Sequence, residues 1–96
     1  MTLYLPEFVL RDVASHEELM NAVHEWITLN KEHPNFNIAN ESFDVVTYLR
    51  GSAQQCFDFT SNYAKEEDET KRTMSIELEC CGNCRLNIKV TRKKMV

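Results

Sequence analysis

At 96 residues, with a formal charge of −4 and 27% charged against 43% hydrophobic side chains, the chain has the composition of one ordinary globular domain, not of a disordered or collagen-like segment. Its pI of about 5.3 excludes the overall basic character expected of a nucleic-acid-binding domain. No apolar run approaches the roughly 18 residues that a bilayer demands, and the first residues lack the basic-then-apolar order of a secretory signal, so a cytoplasmic protein without membrane contact is expected.

The first element is the apolar stretch Leu3-Tyr4-Leu5-Pro6-Glu7-Phe8-Val9-Leu10. It favours strand, but its proline removes a ladder donor, which predicts an edge strand or extended arm over residues 1–14. Ser15 and Glu18 then have capping-box spacing, and Glu17 adds negative charge where the helix dipole favours it. Leu19, Met20, Val23, Trp26, Ile27 and Leu29 follow at helical spacing, so a first helix is expected over residues 15–33 with these side chains buried. His33-Pro34 ends it, because the residue before proline avoids the α region.

The Asn-rich residues 35–40 read as a loop. Phe43, Val46, Leu49, Ala53, Cys56, Phe57 and Tyr63 then define a second helix over residues 41–65, starting at Glu41 or Ser42. Gly51 interrupts that stripe, leaving a strand over Val45–Leu49 and a shorter helix as the alternative. The run Lys65-Glu66-Glu67-Asp68-Glu69 reads as a solvated exit.

Residues 73–91 carry the clearest pattern. Met74, Ile76, Leu78 and Cys80 alternate with polar residues, and so do Cys84, Leu86, Ile88 and Val90. A period of two on both arms predicts an antiparallel hairpin with one wet face. Opposed residues must share a face, so Leu78 is expected opposite Leu86, Ile76 opposite Ile88 and Met74 opposite Val90. Glu79 then faces Arg85, Glu77 lies diagonal to Lys89, and Asn83 takes the left-handed position of a three-residue loop. The elements together imply an α+β single domain, 1–96, with two helices packed on one face of a small antiparallel sheet built around this C-terminal β-hairpin, followed by a basic tail over residues 92–96.

Two chemical features stand out. The hairpin register gathers Cys80, Cys81 and Cys84 at one tip, where the two-residue spacing of Cys81 and Cys84 supplies half of a zinc site. Cys56 or one of His16, His24 and His33 would have to complete four ligands, and a lone CxxC is weak evidence of metal. A cross-strand Cys80–Cys84 disulfide is geometrically reachable but opposed by a reducing cytosol, and the turn lacks the helix N-terminus that activates redox cysteines. With neither metal nor oxidation, Cys56 and Cys80 serve as small core residues and Cys81 and Cys84 as incidental thiols.

The second feature is charge asymmetry. Residues 1–64 hold nine acids against three bases, whereas no acid follows Arg85, and Arg92, Lys93 and Lys94 form the basic tail. Glu17, Glu18, Glu25 and Glu32 on the outer face of the first helix are the candidate contact for a basic protein partner, although solvated helix faces are commonly this acidic. No hydrolase, phosphate-cradling or dinucleotide-binding motif occurs. The expected function is therefore a non-catalytic protein-binding module without a cofactor, an inhibitor or regulator that occupies its partner as immunity-type or phage-encoded host-interaction proteins do. The alternative is a zinc-stabilised hairpin that contacts nucleic acid or protein through its basic C-terminal strand. An exposed sheet edge leaves both monomer and homodimer open.

Overall fold

The structure, a computed structural model, describes residues 2–41, 43–80 and 82–96, and Cys80 by its backbone alone. Among the described residues the order is β1 (Leu3–Tyr4), β2 (Phe8–Val13), α1 (His16–Asn30), α2 (Pro34–Ala39), α3 (Val45–Ser61), a 3-10 turn (Glu69–Arg72), β3 (Thr73–Cys80) and β4 (Cys84–Arg92). The class is mixed α+β, with three α-helices where two were expected.

The strongest sequence pattern is also the pairing observed. β3 runs antiparallel to β4 with Leu78 opposite Leu86, Ile76 opposite Ile88, Met74 opposite Val90, Glu79 opposite Arg85 and Cys80 opposite Cys84. The left-handed residue between them is Gly82, at φ +74°, rather than Asn83. Glycine has no Cβ to clash there, so it takes the conformation at the lowest cost. Cys81, the rest of that connection, lies outside the described residues.

The sheet is not purely antiparallel, as expected, but mixed. β1 and β2 run parallel to β4, Leu3 pairing with Cys84 and Phe8 with Ile88. Because β3 already occupies one side of β4 along its length, both N-terminal strands lie on the other side, and β4 is the central strand. The long connection that parallel strands require is supplied by the helices. Pro6 separates β1 from β2, and a bulge follows at Arg11-Asp12, where the register slips between Leu10 and Val13 and Asp12 adopts φ +56°. The slip has a packing reason. Strict alternation from Phe8 and Leu10 would aim Asp12 at the core, and the extra residue aims Val13 there instead, fully buried.

Leu86, Ile88 and Val90 of β4 are fully buried in one core with Leu19 and Val23 of α1 and with Val45, Leu49, Ala53 and Cys56 of α3, the helix that packs over β4. Their neighbours on β3, Met74, Ile76 and Leu78, are only half-buried, as befits a sheet edge. The shortest molecular extent, 16 Å, admits one sheet and one helical layer. The sheet's second face, with Tyr4, Val9, Ser75, Glu77, Glu79 and Lys89, is accordingly exposed.

α1 starts as its capping box requires. Ser15 Oγ accepts from the Glu18 amide at 3.1 Å, and the Glu18 carboxylate accepts from the Ala14 amide at 3.0 Å. The expected loop over 35–40 is α2 instead: Pro34 occupies its first turn and the His33 side chain caps it, Nδ1 accepting from the Asn35 amide at 3.1 Å. Proline needs no amide partner in a first helical turn, so one residue stops α1 and starts α2. α3 is one continuous helix, which removes the alternative strand over Val45–Leu49. Asp44 caps it by accepting from the Thr47 amide, and it ends at Ser61, short of Tyr63.

Gly51 sits in mid-helix with open space where a Cβ would point, so Gly51→Ala should stabilise the fold by about 1 kcal/mol. Gly82→Ala should destabilise it by about 1–2 kcal/mol, because the left-handed backbone and not space is limiting there. Urea unfolding of the pair checks both signs.

Candidate interaction surfaces

Glu17, Glu18, Glu25 and Glu32 are all exposed, and among the described residues none of them has a cation within ion-pair distance. Glu18 has a structural task in the capping box, and Glu32 lies just beyond the end of α1, so Glu17 and Glu25 are the helical residues free to meet a partner. Leu29, expected in the core, is 73% exposed. The buried stripe of α1 is Leu19, Val23 and Trp26, and Leu29 lies on the flank of that stripe in the last turn, one turn after Glu25 and three residues before Glu32. A large apolar side chain thus protrudes between two carboxylates.

The basic tail expected over 92–96 is tied to the domain. Arg92 is the last residue of β4 on its inner face, its guanidinium carbon 3.8 Å from the centre of the Phe57 ring and its Nη1 donating to the Phe57 carbonyl at 3.3 Å. Arg92 Nε is buried with no hydrogen-bond partner among the described residues. Lys94 pairs with Glu67, and that bond holds the Glu67 carboxyl below its usual range. The Lys93 amide donates to the Val13 carbonyl and the Met95 amide to the Ala64 carbonyl. Two of the three tail cations are therefore engaged within the fold, and of the three only Lys93 is exposed.

Of the candidate zinc set, Cys84 is buried at the start of β4, with Cys80 facing it across the strand pair. Cys81 and the side chain of Cys80 lie outside the described residues. Each of the four residues considered to complete the set has its own setting in the fold. Cys56 is buried in α3, and burial pushes its thiol up to about 11, so it stays protonated at neutral pH. His33 caps α2, His16 lies edge-on to Phe57 with ring centres 6.2 Å apart, and His24 is exposed on α1. Among the described residues no group of three His, Cys, Asp or Glu side chains is placed to hold a metal ion.

The exposed sheet face carries the expected Glu79–Arg85 pairing together with features that sequence reasoning missed, Glu77 on the same arginine among them. Arg85 forms a fork with Glu77 and Glu79, and Glu77 raises the Arg85 pKa most strongly. Glu77 thus leans toward Arg85, away from the Lys89 diagonal. Beside it a shallow depression of about 360 Å³ is lined by Glu7, Val9, Ser75, Glu77, Asn87 and Lys89. Its mixture of one cation, two carboxylates and small polar groups selects no single ligand charge. Arg72, a buried arginine in the 3-10 turn, is structural: Nε donates to the Glu66 carbonyl at 2.8 Å and Nη1 to the Arg92 carbonyl at 2.7 Å. It stitches the charged exit from α3 to the end of β4.

No helix among the described residues is long and apolar enough to cross a membrane. Comparison with protein-family models, with curated proteins and with solved structures finds no match for this chain.

Proposed function

We propose that the protein is a small, non-catalytic binding module, an inhibitor or regulator acting in the cytoplasm, which occupies a basic surface of a partner protein through the outer face of α1. The observation that carries this reading is Leu29, 73% exposed between Glu25 and Glu32. Interfaces gain most of their affinity from a few apolar anchors that lose their water, and a charged rim sets encounter rate and partner choice. Leu29 is such an anchor and Glu17, Glu25 and Glu32 such a rim. The −6 balance of residues 1–64 extends the same sign over the surrounding surface.

The test is affinity capture from lysate with wild-type protein, a triple Glu17→Lys, Glu25→Lys, Glu32→Lys variant, and Leu29→Ala. One stoichiometric protein should be retained by the wild type, with at least about tenfold weaker binding by the triple variant and a sharp loss in high salt. All four side chains are exposed, so unfolding curves should shift by no more than the roughly 1–2 kcal/mol that reversing the Glu17 charge in the first turn of α1 costs, and Leu29→Ala alone should leave them nearly unchanged. Equal retention by wild type and triple variant, or no stoichiometric protein at all, counts against the reading.

A second reading, the zinc-stabilised tip that meets nucleic acid or protein through β4, is favoured by one observation, the placement of Cys80 directly opposite Cys84. Native mass spectrometry separates the two. One zinc per chain, with the fold lost on chelation, supports the second reading, because structural zinc supplies folding energy.

A further inference from the structure

The two edges of the sheet are built differently. On the N-terminal side the edge is broken by Pro6 between β1 and β2 and again by the bulge at Arg11-Asp12. Proline and bulges are the devices by which proteins stop an edge from pairing with another chain. On the other side β3 runs from Thr73 to Cys80 with no proline, glycine or register shift, and among the described residues only β4 pairs with it. Its inner side chains, Met74, Ile76 and Leu78, remain half-buried, although their β4 partners Leu86, Ile88 and Val90 are fully buried. An unpaired backbone and an apolar strip therefore run along the same edge.

We propose that two copies of the chain pair antiparallel through β3, about a two-fold axis at Ile76, to form one continuous sheet. The register follows from the sequence of the strand. Opposed residues must share a face, so the axis passes through a residue and not between two. Centring at Ile76 sets Ile76 against its own copy, Met74 opposite Leu78, Ser75 opposite Glu77 and Thr73 opposite Glu79, using the whole stretch from Thr73 to Glu79. Centring at Glu77 sets that carboxylate against itself. Centring at Ser75 stops the ladder early, because the residues before Thr73 are in the 3-10 turn. Only the Ile76 axis combines a full-length ladder, apolar pairs on one face and no opposed like charges on the other. The α1 surface is untouched by this pairing: α1 packs over α3 and β2, on the far side of the sheet from the β3 edge. A dimer would therefore present two acidic α1 faces outward, and the pairing stands or falls independently of the partner proposed for α1.

Sedimentation equilibrium of the full chain tests the pairing, with Ser75→Glu and Ser75→Lys as probes. An edge-to-edge contact is a small interface, so a dissociation constant on the order of 10–100 µM is expected. Ser75 and Glu77 of the two copies meet twice by symmetry. Ser75→Glu should therefore weaken the dimer and Ser75→Lys tighten it, each by roughly two- to thirtyfold. Within one chain Ser75 faces Lys89, so the same glutamate favours and the same lysine disfavours the fold of the monomer. Opposite orders in dimerisation and in thermal unfolding separate the interface from stability. A chain that stays monomeric through this range, a dimer indifferent to both probes, or probes that shift it in the same direction would overturn the proposal, and so would a monomer whose β3 takes up an extended peptide.

Discussion

Ile88→Ala should remove about 2–5 kcal/mol of stability, a large share of the roughly 5–15 kcal/mol that holds a domain of this size folded. Ile88 is fully buried on the central strand, between Phe8 of β2 and Ile76 of β3 and beneath the helices. Removing its side chain leaves a hole that three elements line, and β4, paired on both sides, is poorly placed to close it. Ile76→Ala is the internal control. It deletes the same side chain from the neighbouring position on the same face, but Ile76 is half-buried, so its loss should be less than half as large. Urea midpoints measured side by side give the ratio. Equal losses, measured below the concentration at which β3 edges pair, would mean that Ile76 is as deeply buried as Ile88 and that β4 is not the more central strand.

Trp26→Ala should be comparably severe, at about 3–5 kcal/mol. Trp26 ties three parts of the chain together: it sits on the buried stripe of α1, its ring lies 6.2 Å from that of Phe36 in α2, and its Nε1 donates to the Glu7 carbonyl at 3.2 Å. The last bond holds the break between β1 and β2 against α1. Trp26→Phe keeps most of the apolar area and loses the donor, so it should cost about 1–2 kcal/mol. Chemical unfolding followed by circular dichroism measures both, since the variants lack the chain's one tryptophan. A Trp26→Ala protein as stable as wild type would show that α1 does not pack as described.

These two positions show what could be read from the sequence and what could not. The register of β3 on β4 was legible because alternation, cross-strand charge and the shared-face rule all select one pairing between segments close in sequence. The capping box of α1 was legible because Ser15 and Glu18 satisfy the helix end without outside help. Direction and neighbour of the N-terminal strand were not legible. Leu3-Tyr4-Leu5 and Phe8-Val9-Leu10 pair with residues some eighty positions away, and nothing local distinguishes a parallel partner on β4 from an antiparallel one elsewhere.

The same limit explains the smaller misses. α2 has too few residues for a periodic stripe, and its cap is a histidine rather than one of the residues that usually mark a helix start. Leu29 fits a helical stripe on spacing alone, yet α1 turns its buried face toward Trp26 and leaves Leu29 outside. The attachment of the tail was not legible because Arg92, Lys93 and Lys94 are consecutive cations, whereas Phe57 and Glu67, which hold Arg92 and Lys94, lie far back in the chain. Of the candidate sites, the acidic residues of α1 were visible as types, but the apolar residue among them was hidden by being assigned to the core.

The central structural claim is that β4 is flanked on both sides, by β3 and by the N-terminal strands. Amide hydrogen exchange, followed by NMR at a concentration too low for β3 edges to pair, reads this directly. Consecutive amides from Ile88 to Val90 should all be strongly protected, because alternate ones bond to β3 and to β2, while along β3 only every second amide should be. Protection of every second amide in β4 as well would mean that it has one neighbour and not two, and the arrangement described would be wrong.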